Sequence, residues 1–449
     1  MKVKFFFSAL FLILFVELSA KINKPNIILF FVDDLGYGDL SCFGNPNIRT
    51  PNIDMLANEG IRLTSFYAAG SVCTPSRAGL LTGRYPLYTL GRNVGLNSKK
   101  GLPLDEPIIP EVLRNSGYNC MAIGKWHLGH ANNQFLPTSR GFNQFYGLLH
   151  SNDAMNPWVN TDKPLLLYKN DKAVKTVNYQ QDSLTIDYTN EAIRFIKENQ
   201  GQPFFLYLPY SMPHLPISTP ADFRGKSAGG LYGDVVETID WSVGEIMKVL
   251  GQLHLEYNTI VIFASDNGPW HNLPARMLQK GVKPWHQGTT GLLHGSKATT
   301  YEGGMRVPGI FYWKGIIPAG QVSSDIITTL DIFPTLIEIA DAETPIGKKF
   351  DGYNILPFLT GNSNSPRSDF YYFNNRTLEA VRDKNWKLRF AKAYKITGGN
   401  TNLITPELFN MMDDPGENYN IAEEHPEIVK RLMEKMEKKA KQVNGQLYE

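Results

Sequence analysis

The sequence predicts an α/β protein, with a central, mostly parallel sheet covered by helices and a small C-terminal α+β subdomain built on an antiparallel sheet. Three observations carry this. The run from Asn26 to Val32 is apolar without alternation, as in a strand buried on both faces of a parallel sheet. Similar runs recur at Tyr118 to Ile123, Pro203 to Leu208 and Thr259 to Ala264, with helical patterns between them. Beyond a polar, breaker-rich stretch, Gly361 to Pro366, the pattern changes to short strands and one helix.

Taken in order, residues 1–20 have the layout of a secretory signal peptide. Lys2 and Lys4 precede the apolar run Phe5 to Val16, and Ser19-Ala20 offers a small-residue cleavage point. That run is too short to span a bilayer comfortably. No later segment reaches transmembrane length, so the mature protein is expected to be exported, periplasmic or secreted, with no stable membrane anchor. Residues 21–362 are expected to form the catalytic domain. Its helices are predicted at Ile53 to Glu59, Ile109 to Ser116, Leu184 to Glu198, Asp234 to Leu253 and Asp331 to Ala340. Residues 363–449 are expected to form the subdomain. Its strands are predicted at Phe370 to Phe373, Glu379 to Arg382, Trp386 to Phe390 and Leu408 to Met411, before a charged helix, Pro426 to Val443.

Bulk properties limit the partners. With 449 residues, 42% of them hydrophobic, the chain can bury a large core. A net charge of +2 gives no broad field for nucleic acid or an anionic membrane. Any anion must be held by a local cluster. The three cysteines, Cys42, Cys73 and Cys120, cannot all pair with one another. Cys73 is the candidate for another fate, which leaves Cys42 and Cys120 free or bridged.

Polar clusters fall just after the predicted strands: Asp33-Asp34, Lys125 with His127, His214, and Asp266-Asn267. Ligands of open α/β sheets bind at the carboxyl ends of strands, so these clusters are expected to converge on one edge. Asp33, Asp34, Asp266 and Asn267 offer only oxygen, the set a hard divalent cation such as Ca²⁺ or Mg²⁺ prefers, and no His or Cys beside them favours zinc. Lys125 and His127 share a face if their backbone is extended. His214 lies between two prolines, and Lys297 lies in a glycine-rich loop that runs on to Pro308. Cys73-Thr-Pro-Ser-Arg77 opens a helix-like run that ends at Gly83-Arg84-Tyr85-Pro86, which puts a helix N-terminus beside any bound anion.

These blocks, Asn26 to Gly38, Ser71 to Tyr85, Gly124 to Gly129, Pro213-His214, Ser265 to Gly268, Lys297 to Pro308 and the closing Leu408 to Asn420, resemble in order those of the type I, formylglycine-dependent sulfatases. These are arylsulfatase-like enzymes of the alkaline phosphatase superfamily. The resemblance implies the alkaline-phosphatase-like sandwich and one calcium ion on Asp33, Asp34, Asp266 and Asn267. It also implies that a formylglycine-generating maturation enzyme oxidises Cys73. Arg77, Lys125, His127, His214 and Lys297 would surround the sulfate. His214, with Lys297, would protonate the leaving oxygen, and His127 would assist release of sulfate. Ser151 resembles a serine that some members place near the aldehyde.

The chemistry agrees with that set. A sulfate monoester needs a cation clamp, a good nucleophile and a proton donor for the leaving oxygen. A hydrated aldehyde offers one hydroxyl to attack sulfur and a second whose deprotonation expels sulfate. The block Gly147 to Asp153, with His150 and Ser151, resembles members acting on galactose-type sugars. Trp270 and His271, in a stretch that also holds Trp285, His286 and His294, are positioned either to stack on sugar rings or to fill core. The expected function is hydrolysis of sulfate monoesters on an extracellular sulfated glycan of galactose or N-acetylgalactosamine type. A phosphomonoester or phosphodiester hydrolase on the same scaffold and a non-catalytic sulfated-glycan-binding protein are the alternatives.

Overall fold

β1 (Asn26–Val32) is buried at every residue and lies inside an eleven-stranded sheet. The structure, a computed structural model, describes residues 24–375, 377–390 and 406–443, so the expected signal segment 1–20 lies outside the described residues. After β1 come α1 (Pro51–Asn58), β2 (Ile61–Tyr67), α2 (Cys73–Thr82), α3 (Ile109–Asn115), β3 (Asn119–Lys125) and β4 (Gln144–Leu148). A hairpin, β5 (Leu166–Lys169) and β6 (Lys172–Thr176), leads to α4 (Leu184–Glu198), β7 (Phe204–Pro209), α5 (Gly230–Gln252) and β8 (Thr259–Ser265). Then follow α6 (Glu302–Met305), β9 (Arg306–Tyr312), β10 (Gln321–Ser323), β11 (Ile327–Thr328), α7 (Ile332–Ile339) and α8 (Leu356–Leu359).

The strand order is β10-β2-β9-β8-β1-β7-β3-β4-β5-β6, with β11 also on β2. The middle, β8-β1-β7-β3-β4, is parallel. β9 runs antiparallel to both β8 and β2, and the β5–β6 hairpin adds an antiparallel edge. All four apolar runs are central strands, which explains their lack of alternation. Ile28, Phe30 and Val32 join a core with α1, α4 and α5 on one face, and Ile27, Leu29 and Phe31 join a core with α2, α3 and α7 on the other. Removing one of these rings, as in Phe30→Ala, costs about 3–5 kcal/mol.

The helices follow their apolar stripes. In α4, Leu184, Tyr188, Ala192, Phe195 and Ile196 recur on one face and are buried. α5 starts four residues before the expected Asp234. Asp234 has the chemistry of an N-cap, but its carboxylate accepts the amides of Gly225, Lys226 and Ser227 instead and ties down the loop before the helix.

A second, four-stranded antiparallel sheet holds β12 (Asp369–Asn374), β13 (Thr377–Asp383), β14 (Trp386–Phe390) and β15 (Pro406–Asn410). The closing helix α9 (Pro426–Gln442) buries Leu432, Met436 and Ala440 in the apolar core that this sheet shares with Tyr67 and Tyr85. One buried polar network joins the two sheets. Glu302, at the start of α6, accepts from Tyr67 Oη at 2.6 Å, Tyr372 Oη at 2.7 Å and Lys387 Nζ at 2.9 Å. Lys387 also pairs with Glu417 at 2.7 Å and donates to the Thr300 carbonyl at 2.9 Å. Burial alone would raise Glu302, but Lys387, Arg382 and Arg306 hold it down at about 2. The network anchors the glycine-rich loop that carries Lys297. All three cysteines are free thiols.

Candidate functional site

The parallel strands end where the polar residues begin. Asp33 and Asp34 follow β1, Lys125 closes β3, and Asp266-Asn267 follow β8. Because β1 pairs in register with β8, up to Val32 beside Ser265, Asp33-Asp34 and Asp266-Asn267 leave the sheet side by side. The Asp34 amide donates to Asp266 Oδ1 at 3.1 Å, and Asn267 Nδ2 donates to Asp34 Oδ1 at 2.7 Å. Asp34 holds φ at 63°, a strained value for a non-glycine residue that marks sites where side chains must be aimed. Gly268 must lack a side chain, since a Cβ there would sit 1.7 Å from the Gly303 carbonyl oxygen. That close approach brings the Lys297 loop down onto β8.

Cys73 is the first residue of α2, and every residue of that helix is buried. Its Sγ lies 3.3 Å from Lys297 Nζ and 3.5 Å from Asp33 Oδ1. The donor atoms of Asp33, Cys73 and Asp266 lie within 4.8 Å of one another, as do those of Asp34, Cys73 and His214. One turn on, Arg77 donates Nε and Nη2 to Asp266 Oδ2 at 3.1 and 2.8 Å, and Nη1 to the Lys125 carbonyl at 3.1 Å. Lys125 Nζ bridges both oxygens of Asp33 at 3.0 and 2.7 Å, and Lys297 Nζ bridges both of Asp34 at 2.6 and 2.8 Å.

The electrostatics follow from this packing. Burial would raise Asp33, yet Lys125, His214 and Arg77 hold it at about 2. Burial, with Asp33 adding to it, raises Asp266. Burial would lower Lys297, but Asp34 raises it instead, so it stays a cation. Burial pushes the Cys73 thiol up to about 12, so the unmodified side chain is a neutral thiol at physiological pH. Three carboxylates thus face three cations, and the charges balance. A hard divalent cation fits the oxygen set, because Asn267 Oδ1 is fully buried with no hydrogen-bond partner among the described residues, while the three carboxylates converge beside it. Such an ion would turn a neutral cluster into one with net positive charge for an anionic ester.

The histidines divide by tautomer. His214 Nδ1 lies 2.9 Å from Asn152 Oδ1 and 2.7 Å from the Leu215 carbonyl, both acceptors, so Nδ1 carries hydrogen. Its Nε2 is left facing Asp34 Oδ2 at 3.7 Å. His127 Nε2 lies 3.2 Å from the Val94 carbonyl and therefore donates, while its Nδ1 is buried with no partner among the described residues. Burial and the neighbouring His150 lower its pKa well below the ordinary range, which makes it a neutral base. Here the structure departs from the sequence reading. β3 ends at Lys125 and His127 takes φ 58°, so the two residues do not share the face of an extended segment. They reach the same region by a turn.

The His150 ring lies against that of His127, with centroids 4.3 Å apart and planes tilted by 50°, and donates Nε2 to the same Val94 carbonyl at 2.8 Å. Ser151 Oγ donates to Asp153 Oδ1. Trp270 belongs to the cluster: its ring lies 5.7 Å from that of His214 and 4.9 Å from Lys297 Nζ. His271 instead spends Nε2 on the Gly288 carbonyl at 2.9 Å, a bond within its own loop. Two residues escaped the sequence reading. Asn152 orients His214, and Arg276 bonds the Trp158 carbonyl at 2.6 Å while lying 5.8 Å from the Trp270 ring. Asn152 stood inside a block already singled out, whereas nothing in the local sequence marks Arg276.

Comparison with known proteins identifies the arrangement. Residues 25–342 match the family model described as Sulfatase, and residues 293–442 match that described as N-sulphoglucosamine sulphohydrolase, C-terminal. The chain is 35% identical over 441 residues to N-acetylgalactosamine-6-sulfatase of Canis lupus familiaris, covering 89% of this chain and 82% of that protein. It is 36% identical over 452 residues to arylsulfatase A of Homo sapiens, covering 91% and 86%. The crystal structure of Ps i-CgsB in complex with k-i-k-neocarrahexaose matches with a TM-score of 0.77 at 31% identity, covering 93% of this chain and 92% of that one. The chain belongs to the sulfatase family, and it is a sulfuric ester hydrolase.

Proposed function

We propose that this sulfatase removes sulfate from an extracellular glycan of galactose or N-acetylgalactosamine type, with Cys73 matured to formylglycine and calcium held by Asp33, Asp34, Asp266 and Asn267. The observation that carries the chemistry is the place of Cys73: first residue of a buried helix, within 3.5 Å of both Lys297 Nζ and Asp33 Oδ1. A neutral buried thiol is a weak nucleophile, and a hydrated aldehyde at that position would supply the geminal diol that sulfate transfer uses. The sugar class rests on relatives named for N-acetylgalactosamine 6-sulfate and on a structural neighbour holding a neocarrahexaose. The domain division at residue 362, the exported location and the maturation enzyme belong to the same reading. No helix among the described residues is long and apolar enough to cross a membrane.

The chain's own groups then have distinct tasks. Lys125, Arg77 and Lys297 supply positive charge to the sulfuryl oxygens, and the α2 N-terminus adds its partial charge. His214, when protonated, donates from Nε2 to the leaving oxygen, with Asn152 fixing its ring. His127 accepts a proton at Nδ1, its one free ring nitrogen, and so assists release of sulfate. Asp33 and Asp266 hold Lys125 and Arg77 in place, and Asp34 holds Lys297, before the substrate enters.

The test is sulfate release by enzyme made in a host with the maturation system. Sulfated galactose and N-acetylgalactosamine are compared with sulfated glucosamine and with 4-nitrophenyl phosphate. Turnover of the galactose-type sugars above the others supports the reading. Faster hydrolysis of the phosphate, or a preference for glucosamine, overturns the substrate assignment.

A further inference from the structure

A cleft of about 230 Å³ opens behind the His214 loop, lined by Trp158, Tyr179, Gln181, Pro216, Lys280 and His286 among others. None of these six residues contributes to the sulfate cluster. We propose that the cleft is a second sugar subsite, which takes a neighbouring ring of the same glycan chain and prefers one that carries sulfate. This rests on the glycan reading above and extends it from a single sulfated sugar to a polymer.

Continuity with the catalytic region comes first. Asn152 Nδ2 donates to the His214 carbonyl at 3.1 Å, and also to Gln181 Oε1 and the Pro216 carbonyl at 3.0 Å each. The residue that orients His214 therefore also bonds two walls of the cleft. On the other side, Arg276 joins the Trp158 carbonyl to the face of Trp270, whose ring packs against His214. Adjacent rings of one polymer need two such neighbouring sites.

The lining matches a sugar ring. Its size is below the usual range for drug-sized ligands, about 300–1,000 Å³, and suits one ring. Tyr179 is 56% exposed, and its hydroxyl is tied to the Asn156 carbonyl at 2.8 Å, so an accessible aromatic ring is held in a fixed pose. Trp158 meets it at 5.8 Å. Trp158 is 3% exposed, so it serves as the buried wall against which the Tyr179 ring is set. Aromatic rings with polar edges are suited to sugars, which present C–H faces and hydroxyl rims.

The charge matches an anionic substituent. Lys280 Nζ lies 5.5 Å from the Tyr179 ring centroid and makes no ion pair among the described residues, so its charge is available at the cleft. His286 Nδ1 accepts from the Lys283 amide at 3.3 Å, which leaves the proton of the neutral ring on Nε2 as a donor. Among the described residues no carboxylate lines the cleft.

The experiment compares wild-type enzyme with Tyr179→Ala, Tyr179→Phe and Lys280→Ala. The substrates are 4-nitrophenyl sulfate, a sulfated monosaccharide, and oligosaccharides of the same sugar whose neighbouring ring is either sulfated or not. Tyr179→Ala is expected to raise KM for both oligosaccharides by roughly tenfold and to leave the monosaccharide and aryl sulfate within about twofold. Tyr179→Phe should keep most of the oligosaccharide affinity, because the ring remains. Lys280→Ala should raise KM only where the neighbouring ring is sulfated. Unchanged oligosaccharide KM in Tyr179→Ala and Lys280→Ala overturns the subsite, and so does an equal loss on all four substrates. If wild-type enzyme hydrolyses the aryl sulfate but no sugar of any length, the glycan reading itself has failed. If it hydrolyses the sugars and only the variants are silent, the subsite alone has failed.

Discussion

Replacing His214 with alanine separates proton donation from sulfate binding, because the two tasks make different demands on the leaving group. Both acceptors at Nδ1, Asn152 Oδ1 at 2.9 Å and the Leu215 carbonyl at 2.7 Å, lie on the loop side of the ring. Only Nε2 can deliver a proton to the pocket. His127 cannot replace it, since its free nitrogen is an unprotonated acceptor buried beside His150. A sugar alkoxide is a poor leaving group and needs the proton, whereas 4-nitrophenolate leaves without one. General acid catalysis contributes about 10²–10⁴-fold, which is about 3–5 kcal/mol of barrier. His214→Ala should therefore lower kcat/KM on a sulfated sugar by that factor and on 4-nitrophenyl sulfate by less than about tenfold. The assay is kcat/KM across a series of sulfate esters graded by the acidity of the departing alcohol. The slope of log(kcat/KM) against that acidity should steepen in the variant. Lys297→Ala is the contrast: its Nζ touches Cys73 Sγ and both oxygens of Asp34, so it should lose activity on every ester alike. Equal losses for His214→Ala across the series would refute proton donation and leave His214 as a binding group.

Four further outcomes are expected. Peptide mass spectrometry of active enzyme should find residue 73 about 18 Da lighter than cysteine, and Cys73→Ala should abolish turnover while keeping the native circular dichroism; full activity with unmodified Cys73 would contradict this. Stripping divalent ions should lower activity, with calcium restoring it and zinc not, and Asp266→Asn should prevent the rescue; activity should be followed alongside metal analysis. Lys387→Met should destabilise the protein by about 3 kcal/mol in urea unfolding, because buried Glu417 would lose its ion-pair partner among the described residues and Glu302 would keep only Arg306 and Arg382. Asp240 binds the amides of Asn52 and Ile53 at the start of α1, and burial raises it from 3.8 to about 6. A carboxyl group with a raised folded pKa contributes stability that is complete below 3.8 and lost as pH rises through about 6. Asp240→Asn should therefore flatten the stability profile across that window, measured by urea unfolding at a series of pH values.

Legibility in the sequence followed the sheet. Strands buried on both faces announce themselves by unbroken apolar runs, so β1, β3, β7 and β8 were readable, and with them Asp33, Asp34, Lys125, His127, Asp266 and Asn267 at or just past the ends of β1, β3 and β8. The antiparallel additions were not. β6 is exposed along its whole length and carries no burial pattern, and β9 begins inside the glycine-rich block, where Gly303 and Gly304 read as loop. The same division holds at the site. Asp33, Asp34, Lys125, Asp266 and Asn267 are fixed by strand ends, whereas Arg276, Trp158 and Tyr179 meet only because separate loops fold onto one another, and no local spacing encodes that meeting.

Lys297 falls between these cases. It sits 32 residues past the end of β8 by sequence number and is not held by a strand at all. Its position comes from the contact between Gly268 and Gly303, and from Glu302, whose amide is bound by Glu417 Oε2 at 2.6 Å and whose carboxylate is bound by Lys387. Glu417 and Lys387 belong to the C-terminal part of the chain. A buried cation of the candidate site is therefore positioned in part by side chains from the C-terminal part of the chain, Lys387 on β14 among them.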